Sequence, residues 1–187
     1  YAAGLGERKR AHPGNDVMSI LMAQRDDAAG GDGHVSIEEF ENLFWLFAVA
    51  GNETLRNGLP GALIALLDDP DAQRTLRADP SRVAGVVDEL LRWWTPLMTF
   101  RRTATTDVAL AGRQIRAGDK VVVSFASANR DEGVFPDPGR LDLDRNAKAH
   151  LAFGHGPHFC LGAHLARVQM TALLPEVLSR TSWIESA

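Results

Sequence analysis

The sequence carries one cysteine, Cys160, in 187 residues. A lone thiol excludes an internal disulfide and leaves Cys160 as a buried small hydrophobe, a nucleophile or a metal ligand. Long apolar runs are missing too. The longest, Leu43 to Ala50, falls far short of the roughly 20 residues that cross a bilayer, so no membrane helix is expected. Neither sign of charge dominates: 20 Lys and Arg stand against 24 Asp and Glu, a net of −4. The basic residues are scattered and not massed on one face, which argues against a nucleic-acid module. Tyr1 stands where an initiator methionine would, and the opening stretch has neither a basic region nor a signal-type apolar segment. A soluble, cytoplasmic protein is expected, with these residues part of a longer chain.

What is present is ordinary globular composition, 45% apolar and 24% charged, enough to bury a core. Length alone suggests one domain, and there is no internal repeat. Gly and Pro clusters punctuate successive elements: helices, then strands, then an irregular stretch, then a helix. After a polar loop at Asp26 to Gly33, Ser36 with Glu39 three residues on forms a capping box. A long helix is expected from there toward Leu67, kinked or distorted by Gly51, Gly58, Pro60 and Gly61. A second helix follows Pro80 and runs to about Trp94. Strands are expected at Thr99 to Thr103, Val108 to Leu110 and Lys120 to Phe125, with turns at Gly112 and Gly118. Pro136 to His150 reads as an irregular meander. A last helix spans Leu161 to about Leu178, bent or shortened by Pro175. The fold class is mainly α with a small β-sheet.

Asp32 to Phe40 looks like the second half of a calcium-binding loop, but the opening ligand positions fall on Ala28 and Gly30, which offer too few oxygens. The capping box explains the same residues.

The segment Phe153-Gly154-His155-Gly156-Pro157-His158-Phe159-Cys160-Leu161-Gly162 is a tight loop that delivers Cys160 just before a helix. Unpaired N–H groups at a helix start favour a thiolate, and Gly162 leaves room for a backbone N–H near the sulfur. His155, His158, Cys160 and His164 lie close together, but their spacing matches no recognised zinc arrangement. The pattern Phe-x-x-Gly-x-x-x-Cys-x-Gly, filled by Phe153, Gly156, Cys160 and Gly162, resembles the cysteine loop of the cytochrome P450 haem-thiolate monooxygenases. In such proteins the thiolate pushes electron density onto haem iron and favours O–O cleavage.

The resemblance implies a partial cytochrome P450 fold about twice this length when whole, its earlier helices and final β segment lying outside this chain. It implies haem b (iron protoporphyrin IX) ligated by Cys160, with Phe153, Gly154, Leu161, Gly162 and Ala166 against the cofactor. Ala50-Gly51-Asn52-Glu53-Thr54 resembles the family's oxygen-groove segment: Ala50 and Gly51 open the groove, Thr54 supports the bound oxygen, and Glu53 helps relay protons from solvent. Leu55 and Pro60-Gly61 depart from the family pattern. Glu89-Leu90-Leu91-Arg92 resembles the structural Glu-x-x-Arg motif, with Arg140 the positional match for a third member and Arg145 the rival. Arg101-Arg102-Thr103-Ala104-Thr105-Thr106-Asp107 resembles the family's Arg-x-Ala-Thr-x-Asp strand, which implies Arg102 on one haem propionate, with His158 taking or sharing the other. Arg101 reads as a solvated strand residue, and His150 and His164 as surface or packing histidines.

Leu46, Phe47, Val49, Ala50, Leu97, Met98 and Thr99 would line a mostly apolar substrate pocket. The implied reaction is hydroxylation of a hydrophobic small molecule, such as a terpenoid, sterol or branched lipid. No flavin or pyridine-nucleotide motif is present, so a ferredoxin-type donor with its reductase is implied, docking near Arg116 and Arg167. A haem-binding or ligand-sensing module without turnover is the alternative.

Overall fold

The computed structural model describes residues 1–24 and 33–184. Most of the Asp26 to Gly33 loop, including Ala28, Gly30 and Asp32, therefore lies outside the described residues. Contacts divide the chain into two compact units, Tyr1–Glu53 and Thr54–Ala187.

In the first unit, helix α1 (Ala2–Ala11) and helix α2 (Val17–Met22) precede α3 (Ile37–Leu67), which runs on into the second. Asp16 caps α2. Its carboxylate accepts from the Ser19 N–H and hydroxyl and from Lys9 Nζ (3.1, 2.9 and 2.5 Å). Led by the Lys9 hydrogen bond, these donors hold the Asp16 carboxyl down at about 2. The capping box is formed as expected: the Ser36 N–H donates to Glu39 Oε2 (2.8 Å) and the Glu39 N–H to Ser36 Oγ (3.1 Å). Phe40 is fully buried against Gly6, where a Cβ would meet its ring at 2.8 Å.

The second unit begins with the rest of α3. The helix is unbroken through Gly58, Pro60 and Gly61, and Gly61 has a packing reason. A Cβ there would fall 2.2 Å from the Trp94 ring. Trp94 Nε1 in turn donates to Asn57 Oδ1 (3.1 Å), and Asn57 Nδ2 to the Pro96 carbonyl (2.9 Å), which ties α3 to the end of the next helix but one. Helix α4 (Pro70–Ala78), capped by Asp69 with Pro70 at its first position, was not evident in the sequence. Helix α5 (Val83–Trp94) follows a 3₁₀ turn at Pro80–Arg82. Val83, Val86, Val87, Leu90 and Leu91 fall on one face at helical spacing and form the core with Ala62, Leu66, Leu76, Leu141 and three residues of α7 (Ala163–Arg180): Met170, Leu174 and Leu178. Pro175 does not shorten α7, which continues to Arg180.

The β structure is two separate two-stranded ribbons. Strand β1 (Thr99–Thr103) pairs antiparallel with β4 (Lys120–Ser124), Thr99 facing Ser124. Strand β2 (Val108–Leu110) pairs with β3 (Arg113–Ile115), which lies between the two expected turns and was not expected as a strand. Ala111 and Gly112 both have positive φ (47° and 74°), as a tight primed hairpin turn demands. A short helix α6 (Phe125–Ala128) replaces the expected end of β4 at Phe125. No helix among the described residues is long and apolar enough to cross a membrane.

Gly61→Ala is expected to lower stability by about 1–3 kcal/mol through overpacking against Trp94. Gly51→Ala, where a Cβ meets nothing within 4 Å, should raise it by up to about 1 kcal/mol. Denaturant unfolding of the two variants tests both signs.

Candidate functional site

Residues 129–150 have almost no regular structure, so their backbone groups must find partners elsewhere. They find them on two buried guanidinium groups. Glu89 and Arg92 are both fully buried and form a bidentate pair, Arg92 Nε to Oε2 (2.7 Å) and Nη2 to Oε1 (2.8 Å). Arg92 also donates to the carbonyls of Asn129, Pro138 and Arg140 (2.8, 3.1 and 3.3 Å). The third member is Arg145, whose Nε donates to Glu89 Oε1 (3.2 Å) while its other nitrogens reach the carbonyls of Pro136, Asp137 and Arg140.

This corrects the expected place of Arg140. Its side chain is two-thirds exposed and reaches Asp137 and Asp142 only at 3.4 and 3.5 Å. It enters the network through its carbonyl alone, because spacing along an irregular segment does not say which side chain turns inward. The Asp142 N–H donates to Glu89 (3.0 Å), fixing the next step of the meander.

The network leads to the cysteine loop. Thr95, the left-handed cap of α5, donates its hydroxyl to the Arg92 carbonyl (2.7 Å) and accepts from Asn129 Nδ2 (2.9 Å). Asn129 Oδ1 accepts the Leu151 N–H (2.7 Å) at the loop entrance. Gly154 and Gly156 take φ values of +73° and +70°, which few side chains tolerate. A 3₁₀ turn at Gly156–His158 brings the chain back so that the Cys160 N–H donates to the Phe153 carbonyl (2.9 Å). Gly162 then caps α7. A Cβ at Gly162 would sit 3.9 Å from Cys160 Sγ at an ordinary φ of −83°, so nothing inside the chain requires glycine there.

Cys160 is exposed, as are Phe159, Leu161 and Leu165 around it (51%, 83% and 60%). A thiol presented among unburied apolar side chains is not a core thiol. Arg102 is exposed on β1, one of its N–H groups donating to the Arg101 carbonyl (3.0 Å) and its guanidinium lying 5.5 Å over Phe100. Arg101, His155, His158 and His164 are exposed, and Ala166 is half-buried on α7.

Ala50, Gly51, Glu53 and Thr54 are all exposed on α3, the first three in the first unit and Thr54 at the start of the second. Of the expected pocket residues, Leu46 and Val49 are exposed on the first unit, where Phe47 is half-buried. Met98 and Thr99 are exposed on the second, where Leu97 is half-buried.

His150, expected on the surface or in packing, is buried and bonded to Asp88 (Nε2 to Oδ1, 3.2 Å). Arg167, expected as a docking contact, donates to the same oxygen (2.8 Å) and lies over the Phe153 ring at 4.7 Å. The hydrogen bond from His150 holds the Asp88 carboxyl below the usual aspartate range, with Arg167 adding to it and burial opposing it. Asp88 had no signal in the sequence beyond its place before Glu89.

A cysteine loop on a glycine-shaped turn, braced through a buried Glu-Arg-Arg cluster, is the candidate site. The family model described as Cytochrome P450 matches residues 6–186, and the chain belongs to that family. It is 36% identical to "Cytochrome P450-terp" of a Pseudomonas species over 99% of this chain and 42% of that protein. It is 39% identical to "Steroid C26-monooxygenase" of Mycolicibacterium smegmatis over 92% of this chain and 42% of that protein. Among solved structures, CYP109E1 of Bacillus megaterium in complex with testosterone superposes with a TM-score of 0.89 at 32% identity, covering 99% of this chain and 50% of that one. The chain thus spans less than half the length of the curated relatives it matches.

The family implies a haem cofactor, and the second unit fits one: a soft sulfur donor stands exposed among apolar side chains able to cover a porphyrin, with the exposed cation Arg102 available for a carboxylate.

Arg145→Met is expected to lower stability by about 2 kcal/mol or more, since it strips a buried charge-assisted bond from Glu89. Arg140→Met should cost less than about 1 kcal/mol. Chemical denaturation of the two variants checks the order.

Proposed function

We propose that the protein is a haem monooxygenase that inserts one oxygen atom into a hydrophobic small molecule, with Cys160 as the iron ligand. The exposed thiol on its glycine-shaped loop carries this reading. Haem b held by a thiolate supplies reductive activation of dioxygen. The remaining roles belong to side chains. Phe153, Gly154, Leu161, Gly162 and Ala166 lie against the cofactor, while Arg102 and His158 neutralise its propionates.

Ala50 and Gly51 keep α3 small in side chain, as an oxygen groove requires. Gly51 weakens the helix with no packing return inside the chain, which supports a use in binding. Glu53 takes protons from solvent and passes them to the Thr54 hydroxyl, ordinary general acid-base work by positioned oxygens.

On the second unit Leu97 and Met98, with Thr99 beside them, offer an apolar surface, while Leu46 and Val49 are exposed apolar residues of the first; an apolar lining of this kind would hold the substrate by burial, with its oxidised carbon chosen by shape. The relative named as a steroid monooxygenase and the testosterone complex support a sterol-like or terpenoid molecule over a polar one. Electrons come from a ferredoxin-type donor with its reductase, for which the exposed Arg116 is a candidate contact; Arg167 is committed to Asp88.

The carbon monoxide difference spectrum of the reduced, haem-loaded protein tests the ligand. The thiolate-type band is expected for the native sequence and its loss for Cys160→His. The same band in both proteins would refute the assignment. With a ferredoxin and reductase supplied, an oxygenated product from a sterol or terpenoid is expected. Electron consumption that yields no product would favour a sensing module without turnover.

A further inference from the structure

Glu89 and Asp88 are neighbours on α5, yet they face different parts of the chain. Glu89 serves the meander. One oxygen of Asp88 serves both ends of the cysteine loop, accepting from His150 Nε2 (3.2 Å) at its entrance and from Arg167 Nε (2.8 Å) on α7 beyond its exit.

The proton arrangement is fixed by a further bond. The Ala152 N–H donates to His150 Nδ1 (3.0 Å), so that nitrogen carries no proton and Nε2 donates to the carboxylate. Arg167, half-buried, has its guanidinium over Phe153 at 4.7 Å, and the His150 ring is 5.4 Å from the same ring. Both partners of Asp88 thus touch Phe153, and its carbonyl is the one that accepts the Cys160 N–H (2.9 Å).

We propose that Asp88 is a positioning residue for the cysteine ligand, acting through His150 and Arg167 to hold Phe153 and, through the Phe153 carbonyl, the backbone of Cys160. A carboxylate is suited to this because it accepts two donors at once and anchors a cation on an aromatic face. The carboxamide of asparagine keeps the size but not the charge that holds Arg167. The inference deepens the haem-thiolate reading, but its first test does not need haem.

Cys160 is the only cysteine, so alkylation of the haem-free protein by iodoacetamide reports on it alone. Asp88→Asn should change the alkylation rate, and speed amide exchange at Cys160, by about fivefold or more, the loss that one net hydrogen bond implies. Exchange at the core amides of α7 should stay unchanged, and Asp88→Glu should restore part of the native rate. A second variant, Arg167→Lys, keeps the charge, loses the guanidinium that bonds Asp88 and covers Phe153, and should loosen Cys160 in the same direction. In the haem-loaded protein, Asp88→Asn should lower the fraction showing the thiolate-type carbon monoxide band. Native rates at Cys160 in both Asp88→Asn and Arg167→Lys would overturn the positioning role. Absence of the thiolate band in the native protein would instead overturn the haem reading and leave the alkylation result to decide the positioning role.

Discussion

The second unit depends on a buried carboxylate that holds two guanidinium groups. Taking three charges out of water costs several kcal/mol per ion, and one Glu cannot balance two Arg. The deficit is met by backbone. Carbonyls of Asn129, Pro136, Asp137, Pro138 and Arg140 all turn toward Arg92 or Arg145. A segment with no helix or sheet to satisfy its polar groups is thereby given a single path. The charges need the meander's carbonyls, and the meander needs the charges. Truncating one member leaves the others buried without compensation, which makes such a cluster a constraint on conformation more than a source of stability.

From that cluster the order propagates to the loop in short steps. Thr95 takes a left-handed backbone at the end of α5, Asn129 bridges Thr95 to Leu151, and the glycines then turn the chain back onto Phe153. Asp88 adds a second tie from the same helix. Helix α5 therefore presents two acids to two tasks, one buried in the meander and one partly solvated at the loop. Cys160 itself contributes little to the fold: it is exposed, and its neighbours Phe159, Leu161 and Leu165 bury only part of their surface within the chain. The scaffold is built to present the thiol, not to cover it.

What could be read from the sequence was local. The Ser36–Glu39 capping box, the reach of α3, the strands β1 and β2, the turn glycines and the cysteine loop each follow from residues within a few positions of one another. Helix α4 was missed although Asp69-Pro70 is a good start signal, because the helix is short and polar. Strand β3 was missed because Arg113-Gln114-Ile115 alternates too briefly to stand out. Arg145 was misplaced in favour of Arg140, and Asp88 went unseen, because both roles are set by contacts 50 or more residues away in sequence, His150 lying 62 and Arg167 79 positions from Asp88. Gly61 looked like a flaw in the helix until the Trp94 ring gave it a purpose. The glycine at 51 has no such partner, and that contrast sets it apart from the packing glycines of the same helix.

The central claim is that this scaffold exists to put one sulfur on one iron. Iron-edge X-ray absorption of the haem-loaded protein measures that bond directly. A single sulfur scatterer in the first coordination shell, absent in Cys160→His, is the predicted result. A shell of nitrogen and oxygen alone in the native protein would contradict it.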